Sequence, residues 1–253
     1  MRRCSPSSPP WPLPAAPARA DPQEVETGEP LLIEDATTDD PGNLSIQLSG
    51  IYAHQHRDGA LDLTSQGLTV KMGLVKGVQV SLNPEYGMGT AQGRNGGSVL
   101  GEALFQFNDQ SRFVPAFAFN LSYATPYGAG PKSGEYTFRA IATKWLGATE
   151  ESPRLNLNLT DYHVTQPDGG DRRDQLQAVL GGSVLLSRQG ALIADIEYGA
   201  AEAAGTTETF LEIGYSRDLP GDWDFQIGVG KQVAGAGSGT RFYISIDKEL
   251  KIF

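Results

Sequence analysis

The sequence predicts an all-β chain, an antiparallel up-and-down transmembrane β-barrel of about twelve strands with short turns at one rim and longer loops at the other. Three observations carry that prediction. Apolar and polar residues alternate with a period of two in segment after segment from Leu44 onward, and no segment sustains a helical period. Connections after the first strand alternate in length. Aromatic residues gather near strand ends in the apolar phase.

Composition narrows the field. Of 253 residues, 30 are Asp or Glu and 20 are Lys or Arg, giving a net charge of -10. A surface this acidic repels phosphate backbones, so no nucleic-acid partner is expected. No apolar run reaches the ~18 residues of a membrane helix, which leaves strands as the only way across a bilayer. The single cysteine, Cys4, excludes an intramolecular disulfide and a Cys-based metal or redox motif.

The chain divides into three regions. Residues 1–20 are Pro-rich, with Arg2 and Arg3 at the start and Ala18-Arg19-Ala20 as a small-x-small end. They read as a degenerate signal peptide, because Pro9, Pro10, Pro12, Pro14 and Pro17 interrupt its apolar stretch; a disordered leader is the alternative. Residues 21–42 are acidic, which favours a solvated segment tethered by Leu31, Leu32 and Ile33. A short plug inside the barrel is the other reading, and sequence alone leaves both open. The barrel occupies 43–253.

The strands follow in order. Leu44, Ile46, Leu48 and Tyr52 alternate with Ser45, Gln47 and Ser49. Leu68, Val70, Met72 and Leu74 mark a second strand, and Val78, Val80 and Leu82 a third. Val99, Ala103, Phe105 and Phe107 mark a fourth, and Phe113, Phe117, Phe119, Leu121 and Tyr123 a fifth. Tyr136, Phe138, Ala140 and Ala142 form a sixth; Leu155, Leu157 and Leu159 alternate with Asn156, Asn158 and Thr160 in a seventh. Leu176 to Leu186, Leu192 to Tyr198 and Thr209 to Tyr215 supply three more. Trp223 to Val229 and Phe242 to Ile246 are the last two.

Short connections are expected at Val75-Lys76-Gly77, 108–112, 187–190 and 217–222, and longer loops at 89–98, 125–134, 165–174, 200–206 and 234–239. A β-sandwich has no reason to keep such an alternation, whereas outer-membrane barrels place short turns in the periplasm. Tyr52, Tyr86, Tyr123, Tyr136 and Tyr198 lie in apolar phase near the long-loop ends. Phe107, Phe113, Tyr215 and Trp223 do so near the short turns. Two such rings match interfacial girdles. Trp145 falls in the opposite, inward phase unless a bulge shifts its strand.

From about Pro30 the chain resembles the transporter-like outer-membrane barrels of the phenol-degradation meta-pathway family. The carrying residues are Glu29-Pro30-Leu31-Leu32-Ile33-Glu34-Asp35, Leu82-Asn83-Pro84-Glu85-Tyr86, Glu102 to Asp109, and Lys248 to Phe253. The resemblance implies a Gram-negative outer-membrane location and uptake of small, often aromatic molecules. A final aromatic such as Phe253 is typical of barrels delivered to the assembly machinery. Here, however, Asp247, Glu249 and Lys251 share its phase, so either the last strand slips by one or Phe253 is a weak signal.

Sequence pattern assembles no catalytic, cofactor or metal set. His54 and His56 share a strand face beside the Arg57-Asp58-Gly59 hairpin and are expected to be solvated, since a metal site wants three or four ligands. Asp161 and His163 share a face without a serine in reach. The Gly93-Arg94-Asn95-Gly96-Gly97 run has no helix after it and reads as a loop. The inward phase carries Glu102, Asp195, Glu197, Glu208, Glu212, Asp224 and Asp247 against Lys71, Arg139 and Arg241. Glu197 is expected roughly opposite Glu208, and inward residues such as Asn120 and Glu212 are expected to tolerate polar replacement. An acidic lumen fits passage or binding of small cationic molecules without catalysis, in contact with outer-membrane lipid, and the resemblance implies aromatic ones as well. A structural or adhesive surface barrel without transport is the alternative, and an outer-membrane lipid hydrolase a more distant one.

Overall fold

A computed structural model describes residue 31 and residues 33–56, 60–90, 95–129, 133–147, 152–167, 172–200, 206–235 and 238–252. The leader at 1–20, residues 21–30 and 32 of the acidic segment, the 57–59 hairpin tip and Phe253 lie outside the described residues. Twelve strands run in chain order. They are β1 (Asn43–His56), β2 (Ala60–Val75), β3 (Val78–Gly89), β4 (Gly96–Asn108), β5 (Ala116–Gly128) and β6 (Glu135–Trp145). Then come β7 (Arg154–Val164), β8 (Asp174–Ser187), β9 (Gly190–Ala200), β10 (Thr207–Leu219), β11 (Trp223–Ala234) and β12 (Ser238–Lys251). Each pairs antiparallel with its chain neighbours, and β1 pairs with β12 from Asn43↔Lys251 to His56↔Ser238, closing the barrel.

Burial is inverted relative to a water-soluble protein. In β7, Asn156 and Asn158 are fully buried while Leu155, Leu157 and Leu159 are 45%, 40% and 51% exposed. β10 repeats the inversion: Phe210, Glu212, Gly214 and Ser216 point inward, and Leu211 and Ile213 point out. Strands of 11–16 residues reach or exceed the ~9–11 needed to cross a bilayer, so an apolar exterior of this height is a lipid-facing surface. Tyr52, Tyr86, Tyr123, Tyr136 and Tyr198 are exposed near one rim, and Phe107, Phe113 and Trp223 near the other.

Three sequence expectations need adjusting. Phe113 is not in the fifth strand: β5 begins at Ala116, and Phe113 lies in the 109–115 connection with the Arg112 guanidinium 5.1 Å from its ring centroid. That connection and 146–153 are longer than the tight turns 76–77, 188–189 and 220–222 at the same rim. Lys76 in the first of those turns donates to Asp109 at 2.9 Å, and that bond holds its ammonium above the ordinary lysine value. β12 keeps one phase to its end: Phe242, Ile244, Ile246, Leu250 and Ile252 are all exposed, and its ladder with β1 is unbroken, so no slip occurs among the described residues. Trp145 points inward with no bulge in its ladder with β7, and the Arg154 guanidinium lies 4.8 Å from its ring centroid.

The phase makes a direct prediction. Leu157→Arg and Leu211→Arg each place a charge on the mid-bilayer face and should cost about 2–4 kcal/mol in urea unfolding from lipid vesicles. Leu157→Ile should unfold at nearly the wild-type urea concentration.

Candidate functional site

The described part of the acidic N-terminal segment runs inside the barrel, so the plug reading holds and the solvated one does not. Its exit is fixed beside the first residues of β1, where Asn43 N–H donates to the Asp40 carbonyl at 3.0 Å and Gly42 N–H to the Gly73 carbonyl at 3.0 Å. Gly73 is required there, because the Asp39 and Asp40 carbonyls occupy the space a Cβ would take. From this point the segment crosses the lumen toward the opposite wall.

Polar groups along the plug meet side chains of the barrel. Asp39 N–H donates to Gln79 Oε1 at 2.9 Å, and its carboxylate lies 3.5 Å from the Lys71 ammonium. Thr38 N–H donates to Gln106 Oε1 at 3.2 Å, and Ala36 N–H to Thr143 Oγ1 at 2.8 Å. Asp35 accepts from Arg154 and, at 2.5 Å, from Asn156. Glu34 accepts from Arg139 at 2.6 Å and from Asn120 at 3.0 Å. Asn158 closes a reciprocal pair, accepting from Glu34 N–H at 2.6 Å and donating to the Glu34 carbonyl at 2.8 Å. These bonds offset the cost of burying the plug's carboxylates.

The far end of the plug is apolar. Leu31 and Ile33 pack with Val179, Ile193 and Tyr243 in a small core within the lumen. Ile33 reaches so near Gly181 that a Cβ there would strike both Ile33 and Asp195. Polar anchors at one end and apolar packing at the other make this stretch an integral filling of the barrel.

The ten residues read as lumen-lining lie on the inward phase, and six of them fall in two groups. Lys71 and Arg139 hold the plug, as above. Asp195, Glu197, Glu212 and Arg241 form a cluster on the wall of β9, β10 and β12. Arg241 donates to Glu197 and to Glu212, and its guanidinium stacks 4.1 Å from the Phe210 ring centroid. Asp195 lies opposite Glu212 across the β9–β10 ladder, and neither of its carboxylate oxygens meets a hydrogen-bond partner among the described residues. Elsewhere Ser81 donates to Glu102 at 3.1 Å, Ser216 to Asp224 at 3.2 Å, and Ser45 to Asp247 at 2.6 Å.

The expected facing of Glu197 and Glu208 is not what forms. Glu197 pairs with Phe210, and Glu208 with Gly199, because β10 reaches two residues further along β9 than the loop length suggested. The like-charge pair is Asp195 and Glu212 instead. Nor are Asn120 and Glu212 free luminal positions: both are buried and engaged, with Glu34 and Arg241 respectively. Sequence reasoning also passed over Arg154, Asn156 and Asn158 as plug ligands. The signal was present in two fully inward amides on one strand, which need a polar partner inside the barrel.

Past the plug toward the Tyr-rich rim, the wall of β2–β6 keeps a cavity of about 260 Å³ bordered by Ser65, Glu85, Ser98, Ser133 and Glu135. A smaller one of about 30 Å³, with Ser49, Gly67 and Asn83, adjoins it through Ser65 and Glu85. At the same rim, His54 Nδ1 lies 2.8 Å from Asp62 and His163 Nδ1 lies 2.6 Å from Asp174, both on the exterior. His54 and His56 stack at 6.2 Å, and no set of three or more His, Cys, Asp or Glu suited to a metal is found among the described residues.

The barrel is similar to solved outer-membrane proteins. An outer membrane channel from Pseudomonas putida F1 matches with a TM-score of 0.65 at 13% identity, over 90% of this chain and 100% of that one. The NanC porin matches at 0.61 and 10% identity, over 81% and 100% of the two chains. The KdgM porin, solved in complex with oligogalacturonate, matches at 0.57 and 14%, over 79% and 98%. No family model matches the sequence, and no curated protein does.

The two clusters should respond oppositely to charge removal. Arg154→Ala strands the buried Asp35 carboxylate and should destabilise the folded barrel by about 3–5 kcal/mol. Asp195→Asn removes a like charge opposite Glu212 without breaking a bond and should leave the barrel as stable as wild type or more so. Urea titration of the heat-modifiable band on gels reads both.

Proposed function

We propose that this chain is an outer-membrane channel that passes or binds small cations without catalysis, its plug restricting the flux. One observation carries the reading. Each luminal base named above is committed to a carboxylate: Lys71 to Asp39, Arg139 to Glu34, Arg154 to Asp35, and Arg241 to both Glu197 and Glu212. Glu85, Glu102 and Asp195 stand on the inward phase outside those pairs. The lumen is therefore negative, and a constricted negative pore favours cations.

The apolar exterior, the aromatic girdles and the shared fold support an outer-membrane location. The resemblance to the phenol meta-pathway barrels favours aromatic solutes, but two inward rings that would stack with them are already covered. Arg241 lies on Phe210 and Arg154 on Trp145.

Planar-bilayer recording under a salt gradient tests the proposal. The reversal potential should show a small, cation-selective conductance, with the selectivity falling in Glu85→Gln/Glu102→Gln. Arg139→Ala/Arg154→Ala, which loosens the plug, should enlarge each conductance step. An anion-selective channel, or none in either protein, overturns the reading.

A further inference from the structure

Lys76, Arg112, Lys144, Arg188, Arg217 and Lys248 stand on the exterior of the short-turn rim. Most of these bases are already engaged. Lys76 donates to Asp109, Lys144 to the Ser111 carbonyl and Lys248 to the Gly221 carbonyl, and Arg112 lies over the Phe113 ring. Arg188 and Arg217 meet no hydrogen-bond, ion-pair or ring partner among the described residues.

These two arginines come together at one place. Arg217 faces Gly190 across the β9–β10 ladder, and Arg188 sits in the two-residue turn that ends at Gly190. Gly190 leaves bare backbone beside them, and Tyr215 leans over it: a Cβ there would strike the Tyr215 hydroxyl and ring. That hydroxyl also engages none of the described residues. The outward neighbours are Leu192, Leu219 and Phe225, while Asp218 and Asp224 belong to the inward phase. Three donors therefore stand around one glycine without an acceptor.

Donors of this kind call for an anion, and guanidinium groups suit a phosphate. Depth narrows the source. Tyr215 and Trp223 belong to the aromatic ring of this rim, the level at which amphipathic side chains meet lipid headgroups. Toward mid-bilayer the same strands present Ala194, Ile213 and Ile227 to acyl chains. A zwitterionic headgroup would bring an ammonium that finds no carboxylate among these outward neighbours. We propose that Arg188, Arg217 and the Tyr215 hydroxyl hold the phosphate of an anionic phospholipid, its chains lying along Leu192, Ile213 and Ile227. The site is on the outer wall; it rests on the membrane location proposed above and not on conduction.

Native mass spectrometry of the detergent-refolded full chain, loaded with equal phosphatidylglycerol and phosphatidylethanolamine, tests the site. Phosphatidylglycerol should be retained about tenfold over phosphatidylethanolamine. Arg188→Gln/Arg217→Gln should lose that preference. Lys76→Gln/Lys144→Gln, which removes the same charge from engaged bases of the same rim, should keep it. Excess inorganic phosphate should leave the lipid adduct in place, because the chains add apolar contact. The heat-modifiable gel shift shows that each variant is folded. Equal retention of the two lipids, an unchanged preference in the arginine variant, the same loss in the lysine variant, or displacement by phosphate overturns the lipid site. A chain that does not enter phospholipid vesicles sinks the outer-membrane reading. One that enters them but shows no phosphatidylglycerol preference sinks only this site.

Discussion

Hydrogen-bond closure governs this architecture. In hydrocarbon no water can pair a strand's free edge, so a sheet that crosses the bilayer must join its first strand to its last. The β1–β12 ladder does this over the full length of both strands, from Asn43↔Lys251 to His56↔Ser238. Once the edges are gone, every strand has one face to lipid and one to the interior, and the period of two becomes binding on composition. The phase that faces hydrocarbon must be apolar. The other can be polar, and the interior must then satisfy what it encloses.

That second requirement explains the character of the lumen. A ring of twelve strands is wider than an eight-stranded barrel whose own side chains fill it. Here the remaining space is taken up in part by the chain's own N-terminal segment. Its carboxylates neutralise Arg139 and Arg154, its backbone N–H groups use Asn158, Thr143, Gln106 and Gln79, and its leucine and isoleucine cover Val179, Ile193 and Tyr243. Removing the segment would strip Arg139 and Arg154 of those carboxylates and uncover an apolar patch together. The wall and the filling are complementary in both polarity and shape.

Much of the wall was readable in the sequence, because a lipid-facing barrel writes each strand locally. Leu155, Leu157 and Leu159 against Asn156, Asn158 and Thr160 define orientation without any knowledge of neighbours. Register was less readable: whether Glu197 faces Glu208 or Phe210 depends on where the 200–206 connection ends, and a shift of two residues changes the partner without changing the phase. The plug was the hardest. Glu34 and Asp35 look like solvated acids when read along the chain. Their partners Arg139, Arg154 and Asn156 lie more than a hundred residues away. Only the pairing of inward amides and bases in β6 and β7 with unmatched acids elsewhere pointed to it.

The short covalent link between Asp40 and β1 has a further consequence. A segment tethered so near its dock experiences an effective concentration of itself in the millimolar range or above, so it re-seats far faster than any free peptide could find the site. Displacement of the plug is therefore a transient, intramolecular event, and the time-averaged opening of the barrel is set by the ratio of two first-order rates. Neither the abundance of the protein nor its dilution in the membrane alters that ratio.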